Sequence, residues 1–140
     1  MVRQLRALIR HPHDLVLLPA IGIFIARLPQ RIERAQSLPH LLRELRNSRT
    51  PRASQARIVR LRGWWMWKRF GAMNTCYGRA LTLYRFLDAP DEAIELHMGI
   101  ETREGSERLH GHAWVTVSGS IVEGPDEVLQ GRVREVALTK

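Results

Sequence analysis

The residues of this chain best suited to chemistry are one cysteine, two histidines and two acids. Cys76 is the only cysteine among 140 residues, so an internal disulfide and a site built from several thiolates are both excluded. A free thiol is typical of a reducing compartment, and we expect a cytoplasmic location. Because most lone cysteines are small buried apolar residues, the position of Cys76 decides whether it is reactive.

Cys76 stands at the start of a predicted helix. Apolar residues recur at helical spacing up to the DAPDE segment, at Cys76, Ala80, Leu83, Tyr84 and Leu87. Asn74 and Thr75 are both good N-cap residues, so the thiol falls in the first turn. Backbone N–H groups there have no partner within the helix, and the helix end carries partial positive charge. This position stabilises a thiolate, the form of cysteine that acts as a nucleophile. The unpaired N–H groups could also donate hydrogen bonds to the oxyanion of an acyl-transfer intermediate.

His112 is the best candidate for the base that a cysteine nucleophile needs. The segment HAWVTVSGSIV predicts a hairpin whose two-residue turn is Ser118-Gly119. In that register Glu123 lies diagonally beside His112 on the same face of the sheet, where a carboxylate could orient the imidazole. Asp126 becomes the alternative if the chain bulges at residues 124–125, and the pattern leaves the choice between the two acids open.

A metal site is disfavoured, although His110 and His112 are two residues apart. No third and fourth ligand stands at a workable spacing from them. We therefore expect no metal, and a reaction in which Cys76 attacks and His112 moves the proton requires no organic cofactor.

The elements that must position these residues change in character near residue 70. Helices are predicted before it: an uncharged run over 15–26, a stripe of Leu41, Leu42 and Leu45, and a basic helix from about Ser54. After the cysteine helix come a strand over 93–100, the hairpin and a last strand over 132–138. The sequence predicts one α+β domain over 1–140, with a basic helical region over 1–70 and a catalytic helix plus antiparallel sheet over 71–140.

Charge is divided unevenly between the two halves. Residues 1–70 hold 15 of the 22 Lys and Arg and 3 of the 14 Asp and Glu, so they carry +12 and the remainder carries −4. This favours an acidic partner, or else solvated basic helix faces. The GWWMWKRF segment contributes Trp64, Trp65 and Trp67, which either anchor a helix in the core or form a binding surface. No nucleic-acid motif accompanies them, and we expect no nucleic-acid partner.

The uncharged run near the N-terminus is 12 residues long and contains Pro19. It is too short to span a bilayer, so we expect a buried or interface-packing helix and no membrane span. The pattern leaves open whether residues 15–28 touch a membrane surface.

Three segments resemble the bacterial transglutaminase-like proteins of lasso-peptide biosynthesis, the discrete leader peptidases that form the protease half of the B protein. They are NTCYGRALTLYRFL, ELHMGIE and HGHAWVTVSGSIVEGPDEV, and the likeness covers about residues 60–128. It implies a papain-like or transglutaminase-like cysteine protease fold with Cys76 as nucleophile and His112 as base. An acid after the hairpin completes the triad in that family, usually about one residue beyond Glu123, and the family usually has Glu where this chain has Thr116.

The reaction that this resemblance implies is hydrolysis of one peptide bond, which frees a lasso-peptide precursor from its leader. The implied partners are the precursor peptide, a leader-recognition protein and a lasso cyclase. Nothing strand-like precedes residue 90, so the recognition module is expected to be a separate polypeptide that docks on the basic half and the tryptophans. The alternatives are a transglutaminase-like amidase or peptidase of another pathway, and a non-catalytic basic module that binds RNA or an acidic protein.

Overall fold

The fold places a layer of helices against an antiparallel sheet. It was obtained as a computed structural model, which describes residues 2–47, 49–102, 105, 107–123 and 134–139. The helices are α1 (Val2–Leu8), α2 (Asp14–Arg34), α3 (Leu38–Asn47), α4 (Gln55–Lys68), a 3₁₀ turn (Gly71–Met73) and α5 (Cys76–Phe86). The strands are β1 (Ile94–Thr102), β2 (Leu109–Val117), β3 (Ser120–Glu123) and β4 (Arg134–Thr139). The α+β class predicted from the sequence is confirmed.

Helix α2 is the centre of the helical layer. Its buried residues recur every three or four positions and form one stripe: Leu17, Leu18, Ile21, Phe24, Ile25 and Leu28. The helix is 21 residues long, so it continues well beyond the uncharged run seen in the sequence, and it contains Pro19 and Pro29. By length and composition it could cross a membrane, but 39% of its apolar window is buried inside the protein. A partly buried core helix passes the same test.

Trp65 fastens α4 to α2. Its indole Nε1 donates a hydrogen bond of 2.7 Å to the Leu18 carbonyl. The ring fills the space beside Gly22, where any Cβ would overlap the indole. A glycine in α2 is therefore required for the close approach of the two helices.

Arg46 joins α3 to the end of α5. It is 5% exposed, and its guanidinium donates to the carbonyls of Tyr84, Leu87 and Ala89. Asp91 balances its charge at 2.7 Å. Carbonyls at a helix C-terminus have no partner within the helix, and Arg46 supplies one for them.

The sheet has the strand order β3-β2-β1-β4, and every neighbouring pair is antiparallel. The predicted two-residue turn is confirmed, with φ of 51° at Ser118 and 82° at Gly119, as a type I′ hairpin requires. Strands β1 and β2 pair with Gly99 opposite His112. Ile94, Leu96, Ala113 and Val115 belong to the core that the sheet shares with the helices, so His112 lies on the other face.

Candidate active site

Cys76 is the first residue of α5. Thr75 is the N-cap, and its hydroxyl accepts a hydrogen bond of 3.1 Å from the Gly78 N–H. The Arg79 N–H donates to the Thr75 carbonyl. Within the described chain, the N–H groups of Cys76 and Tyr77 donate no backbone hydrogen bond, so they remain available at the positive end of the helix.

A close backbone contact sets the path of the chain into α5. The 3₁₀ turn ends at Met73, and its carbonyl oxygen occupies the space where a Gly78 side chain would begin. A Cβ at Gly78 would overlap this backbone atom, which cannot move as a flexible side chain can. Gly78 therefore lets the turn fold tightly over the start of α5 and hold Cys76 in position.

The thiol points to strand β2. Its Sγ lies 3.6 Å from the Gly111 carbonyl oxygen, one residue before His112. Cys76 and His112 line the same cleft, which has a volume of about 260 Å³. The rest of its lining is mainly apolar and consists of Tyr77, Met98, Gly99, Ile100, Gly111 and Ala113. Burial raises the pKa of the Tyr77 phenol, so this ring is neutral at physiological pH.

The imidazole of His112 contacts the carboxylate of Glu101, which is not one of the two acids predicted from the sequence. Its Nε2 lies 3.2 Å from Oε2 of Glu101 on the neighbouring strand β1. The two side chains are 10% and 5% exposed. When an ionised carboxylate accepts a hydrogen bond from Nε2–H of a neutral imidazole, the other ring nitrogen, Nδ1, carries no proton and can act as a base.

Further polar residues continue this face of the sheet away from the cleft. The His97 ring stacks on Trp114 with centroids 5.4 Å apart, and its Nε2 lies 2.8 Å from the Thr116 hydroxyl. Both rings and the threonine are buried. The hydrogen bond between His97 and Thr116 gives these buried polar side chains a partner and links β1 to β2, the strand that carries His112.

The hairpin register predicted that Glu123 lies beside His112, but in the structure it does not. Its carboxylate is held at both oxygens by the Arg62 guanidinium of α4, at 2.8 and 2.9 Å. A bulge between Val115 and Thr116 places Glu123 opposite Val115 instead of Trp114. A shift of one residue turns a side chain to the other face of a sheet, which here is the face covered by helices. Asp126, the other predicted acid, lies outside the described residues.

The three tryptophans have different surroundings. Trp65 is the anchor described above, and Trp64 packs edge-on against it with ring centroids 4.7 Å apart. Trp67 is 73% exposed, and the Lys68 Nζ lies 4.1 Å from its ring centroid. Of the three, Trp67 is the one that presents most of its surface to solvent.

The sequence contained a weak indication that Glu101 lies on the same face of the sheet as His112. Ile94, Leu96 and Ile100 alternate along β1, so a strand continued past Ile100 puts Glu101 on the polar face. The strand predicted from the sequence ends at residue 100, one residue before this acid, and in the structure it continues to Thr102. The pairing with His112 then depends on how β1 and β2 are aligned, which the strand patterns do not specify.

These observations define a class: an α+β protein with a thiol at a helix N-terminus and a buried histidine–carboxylate pair on the adjoining sheet. Residues 15–135 match the family model of the transglutaminase-like superfamily, and the chain belongs to this superfamily. No curated protein matches the chain. No solved structure matches it either. Among the described residues, no group of three or more His, Cys, Asp and Glu side chains is arranged to hold a metal ion.

Proposed function

We propose that this protein is a cysteine peptidase that removes the leader from a ribosomally made lasso-peptide precursor. The observation that carries the proposal is the common cleft of Cys76 and His112 at the start of α5. Membership of the transglutaminase-like superfamily supports a cysteine peptidase or amidase type of activity. The resemblance of three sequence segments to lasso leader peptidases supports the narrower substrate.

The reaction follows from the groups in the cleft. His112 takes the thiol proton at Nδ1, and the sulfur of Cys76 attacks the peptide carbonyl carbon. The N–H groups of Cys76 and Tyr77 stabilise the oxyanion of the tetrahedral intermediate. His112 then gives its proton to the departing amine, and water hydrolyses the thioester by the same route. This requires the Sγ to exchange its Gly111 contact for the imidazole.

Glu101 is the proposed orienting acid. Its contact with Nε2 fixes the tautomer that leaves Nδ1 free to accept the thiol proton. It also offsets the positive charge that His112 acquires during the reaction. Glu123 is assigned a structural role instead, because its two oxygens are already held by Arg62.

The lining of the cleft suggests which substrate residue it accepts. Apart from Cys76 and His112, it is formed by Tyr77, Met98 and Ile100 together with small residues. A charged side chain next to the scissile bond would lose its hydration there without gaining a partner. We therefore propose that the residue beside the cleaved bond is uncharged.

The partners of the proposed reaction are the precursor peptide, a separate leader-recognition protein and a lasso cyclase, in the cytoplasm. The exposed Trp67 and the basic helices α2–α4 are the proposed docking surface for the recognition protein or the leader. A small open cleft orients its substrate only weakly. Binding of a partner that also holds the leader would orient the scissile bond toward Cys76.

The test is cleavage of a precursor peptide, followed by mass spectrometry, with the protein and its candidate recognition partner. Cys76→Ala and His112→Ala are each expected to lower the rate by at least about a thousandfold, since members of a catalytic unit fail together. His110→Ala is the matched control, because it changes a neighbouring histidine on the same strand. Full activity of either catalytic variant would contradict the proposal.

Two further outcomes separate the alternatives. Cleavage of unrelated acyl substrates with no effect of the leader would favour a transglutaminase-like amidase of another pathway. If iodoacetamide reacts with Cys76 no faster than with a free model thiol, and no cleavage is found, the chain is a binding module with an inert cysteine.

A further inference from the structure

A second cleft lies at the opposite end of α5 from the thiol. Arg85 is nine residues after Cys76 in this helix, which corresponds to about 14 Å along its axis. The cleft has a volume of about 230 Å³, and its lining includes Arg27, Arg31, Arg49 and Arg85. It is separate from the candidate active site, and the proposed reaction does not use it.

Arg85 is half-buried, and part of its guanidinium lacks hydrogen-bond partners. Its Nε and Nη1 atoms are buried and have no hydrogen-bond partner within the described chain. The group is held in place by the rings of Phe24 and Phe86, whose centroids lie 5.0 and 5.6 Å from its Cζ. Burial and the neighbouring charge of Arg31 lower the pKa of Arg85 to about 10. A cation without hydrogen-bond acceptors is destabilising in this setting, and a bound anion would relieve it.

The side chains around Arg85 add positive charge and do not balance its charge. Over the residues that the structure describes, no hydrogen bond or ion pair is found for the side chains of Arg27, Arg31 and Arg49. An adjoining cleft of about 590 Å³ shares Arg27 and Arg31, adds Arg34, and contains Glu44 as its one lining carboxylate. Among the described residues, no carboxylate lines the cleft that contains Arg85 itself.

We propose that this arginine cleft binds a carboxylate side chain of an acidic peptide segment. A guanidinium presents its N–H groups as a planar fork that pairs with both oxygens of a carboxylate. The rim also carries Ile23, which is 55% exposed, and Pro51. An apolar residue next to the acid in the peptide would pack on these two side chains. The ligand is thus a segment in which acidic and apolar residues alternate.

Nucleic acid fits the same surface less well. Proteins that bind single strands combine basic grooves with exposed aromatic rings on which bases stack. The aromatic residues of this cleft are Phe24 and Phe86, which are 3% and 0% exposed. They support the Arg85 guanidinium from beneath and offer no free ring to a base.

Fluorescence anisotropy with the full chain tests the proposal. The probe is a rhodamine-labelled peptide of alternating Glu and Leu, and its matched control has Gln in place of Glu. The wild-type protein is expected to bind the Glu peptide and not the Gln peptide. Arg85→Met and Arg31→Gln should each weaken binding by about tenfold or more, because each removes a charge-assisted contact. Arg3→Gln on α1 removes one exposed charge and should change binding by less than about twofold.

Each remaining outcome bears on the proposal directly. Equal binding by wild type and Arg85→Met would overturn it, as would stronger binding of a single-stranded oligonucleotide that the same variants abolish. Inorganic phosphate is expected to compete weakly, since it has no apolar part. Arg85→Met should melt at or above the wild-type temperature, because it removes a charge whose buried Nε and Nη1 have no hydrogen-bond acceptor and keeps an apolar chain against Phe24 and Phe86. A lower melting temperature would indicate a structural arginine and contradict the site. Anisotropy reads binding and not cleavage, so failure of the peptidase proposal would leave these results unchanged.

Discussion

Two acids of the sheet, Glu101 and Glu123, lie on opposite faces and have opposite kinds of partner. Glu123 faces the helices and pairs with the Arg62 guanidinium, which has donors but no acceptor atom. Glu101 faces away from them and contacts the imidazole of His112, the kind of side chain that most often acts as a general base. The first pair can join elements together but has no acceptor for a thiol proton. The second pair contains such an acceptor, and its histidine lines the same cleft as Cys76.

The largest expected difference between the two acids is in catalysis. Glu101→Gln should lower the rate of precursor cleavage by about a hundredfold or more, because the amide no longer fixes the imidazole tautomer and no longer offsets its charge. Glu123→Gln should leave the rate per folded molecule within a few fold. The measurement is kcat with the precursor peptide for both variants, at matched folded concentration.

Asp126→Asn belongs in the same series, because the resemblance to leader peptidases places an acid after the hairpin. If Asp126→Asn is the variant that loses activity while Glu101→Gln remains active, the orienting role passes from Glu101 to Asp126. If both lose activity, the two acids act together on His112.

The next difference is in stability. Arg62→Met leaves the Glu123 carboxylate without its partner, and Glu123→Gln leaves a guanidinium that is 5% exposed without its charge balance. Each should lower the free energy of unfolding by about 2 kcal/mol, since one end of the pair is buried and the other is partly solvated. Urea unfolding measures both variants and the double variant.

The double variant decides how the two residues interact. A loss smaller than the sum of the two single losses is expected, because the second change removes a group that already lacks its partner. Additive losses would mean that Arg62 and Glu123 stabilise the protein independently, for instance through the Arg62 hydrogen bond to the Arg79 carbonyl.

Asp14 is fully buried, and its replacement is expected to have the smallest effect of the series, one that depends on pH. Burial acts to raise its pKa, but the backbone N–H of Arg10 and the charges of Arg60 and Arg57 outweigh this and lower the pKa below 3.8. An acid whose pKa is lowered on folding stabilises the protein above its unfolded pKa, and this contribution is lost as the pH falls through the folded value. Asp14→Asn should therefore melt below wild type at pH 7.

The difference between wild type and Asp14→Asn should close as the pH falls below 3.8. Thermal melting of the two proteins across this range checks it. A gap that stays constant with pH would assign the effect of Asp14 to hydrogen bonding to the Arg10 and His11 N–H groups and not to its charge.

Much of the fold follows from short-range signals. Thr75 before Cys76 marks the start of α5, Ser54 marks that of α4, and Ser118-Gly119 marks the hairpin turn. At the start of α5 the interaction that fixes the cap lies within three residues, between the Thr75 hydroxyl and the Gly78 N–H. Such caps and turns depend on local backbone geometry, and so they can be predicted without knowledge of the fold.

The position of Glu123 could not be predicted in the same way. The turn was placed correctly, but the bulge that follows it moves the carboxylate to the other face of the sheet. A bulge changes little in the local pattern of residues, since it is stabilised by contacts with distant elements, here the Arg62 side chain 61 residues away. An error of one residue in the predicted register was enough to assign Glu123, and not Glu101, as the partner of His112.

The amino-acid sequence by itself determined that the thiol lies in the first turn of an amphipathic helix and that His112 lies on the first strand of the hairpin. Only the tertiary structure decided which carboxylate contacts that histidine, and that Nε and Nη1 of Arg85 are buried without a hydrogen-bond partner among other arginines. The physical reason is the separation in sequence between the residues that interact. Caps, turns and periodicity arise from neighbours in the chain, whereas the pairing of β1 with β2 and the packing of α5 on α2 arise from contacts between segments far apart in sequence.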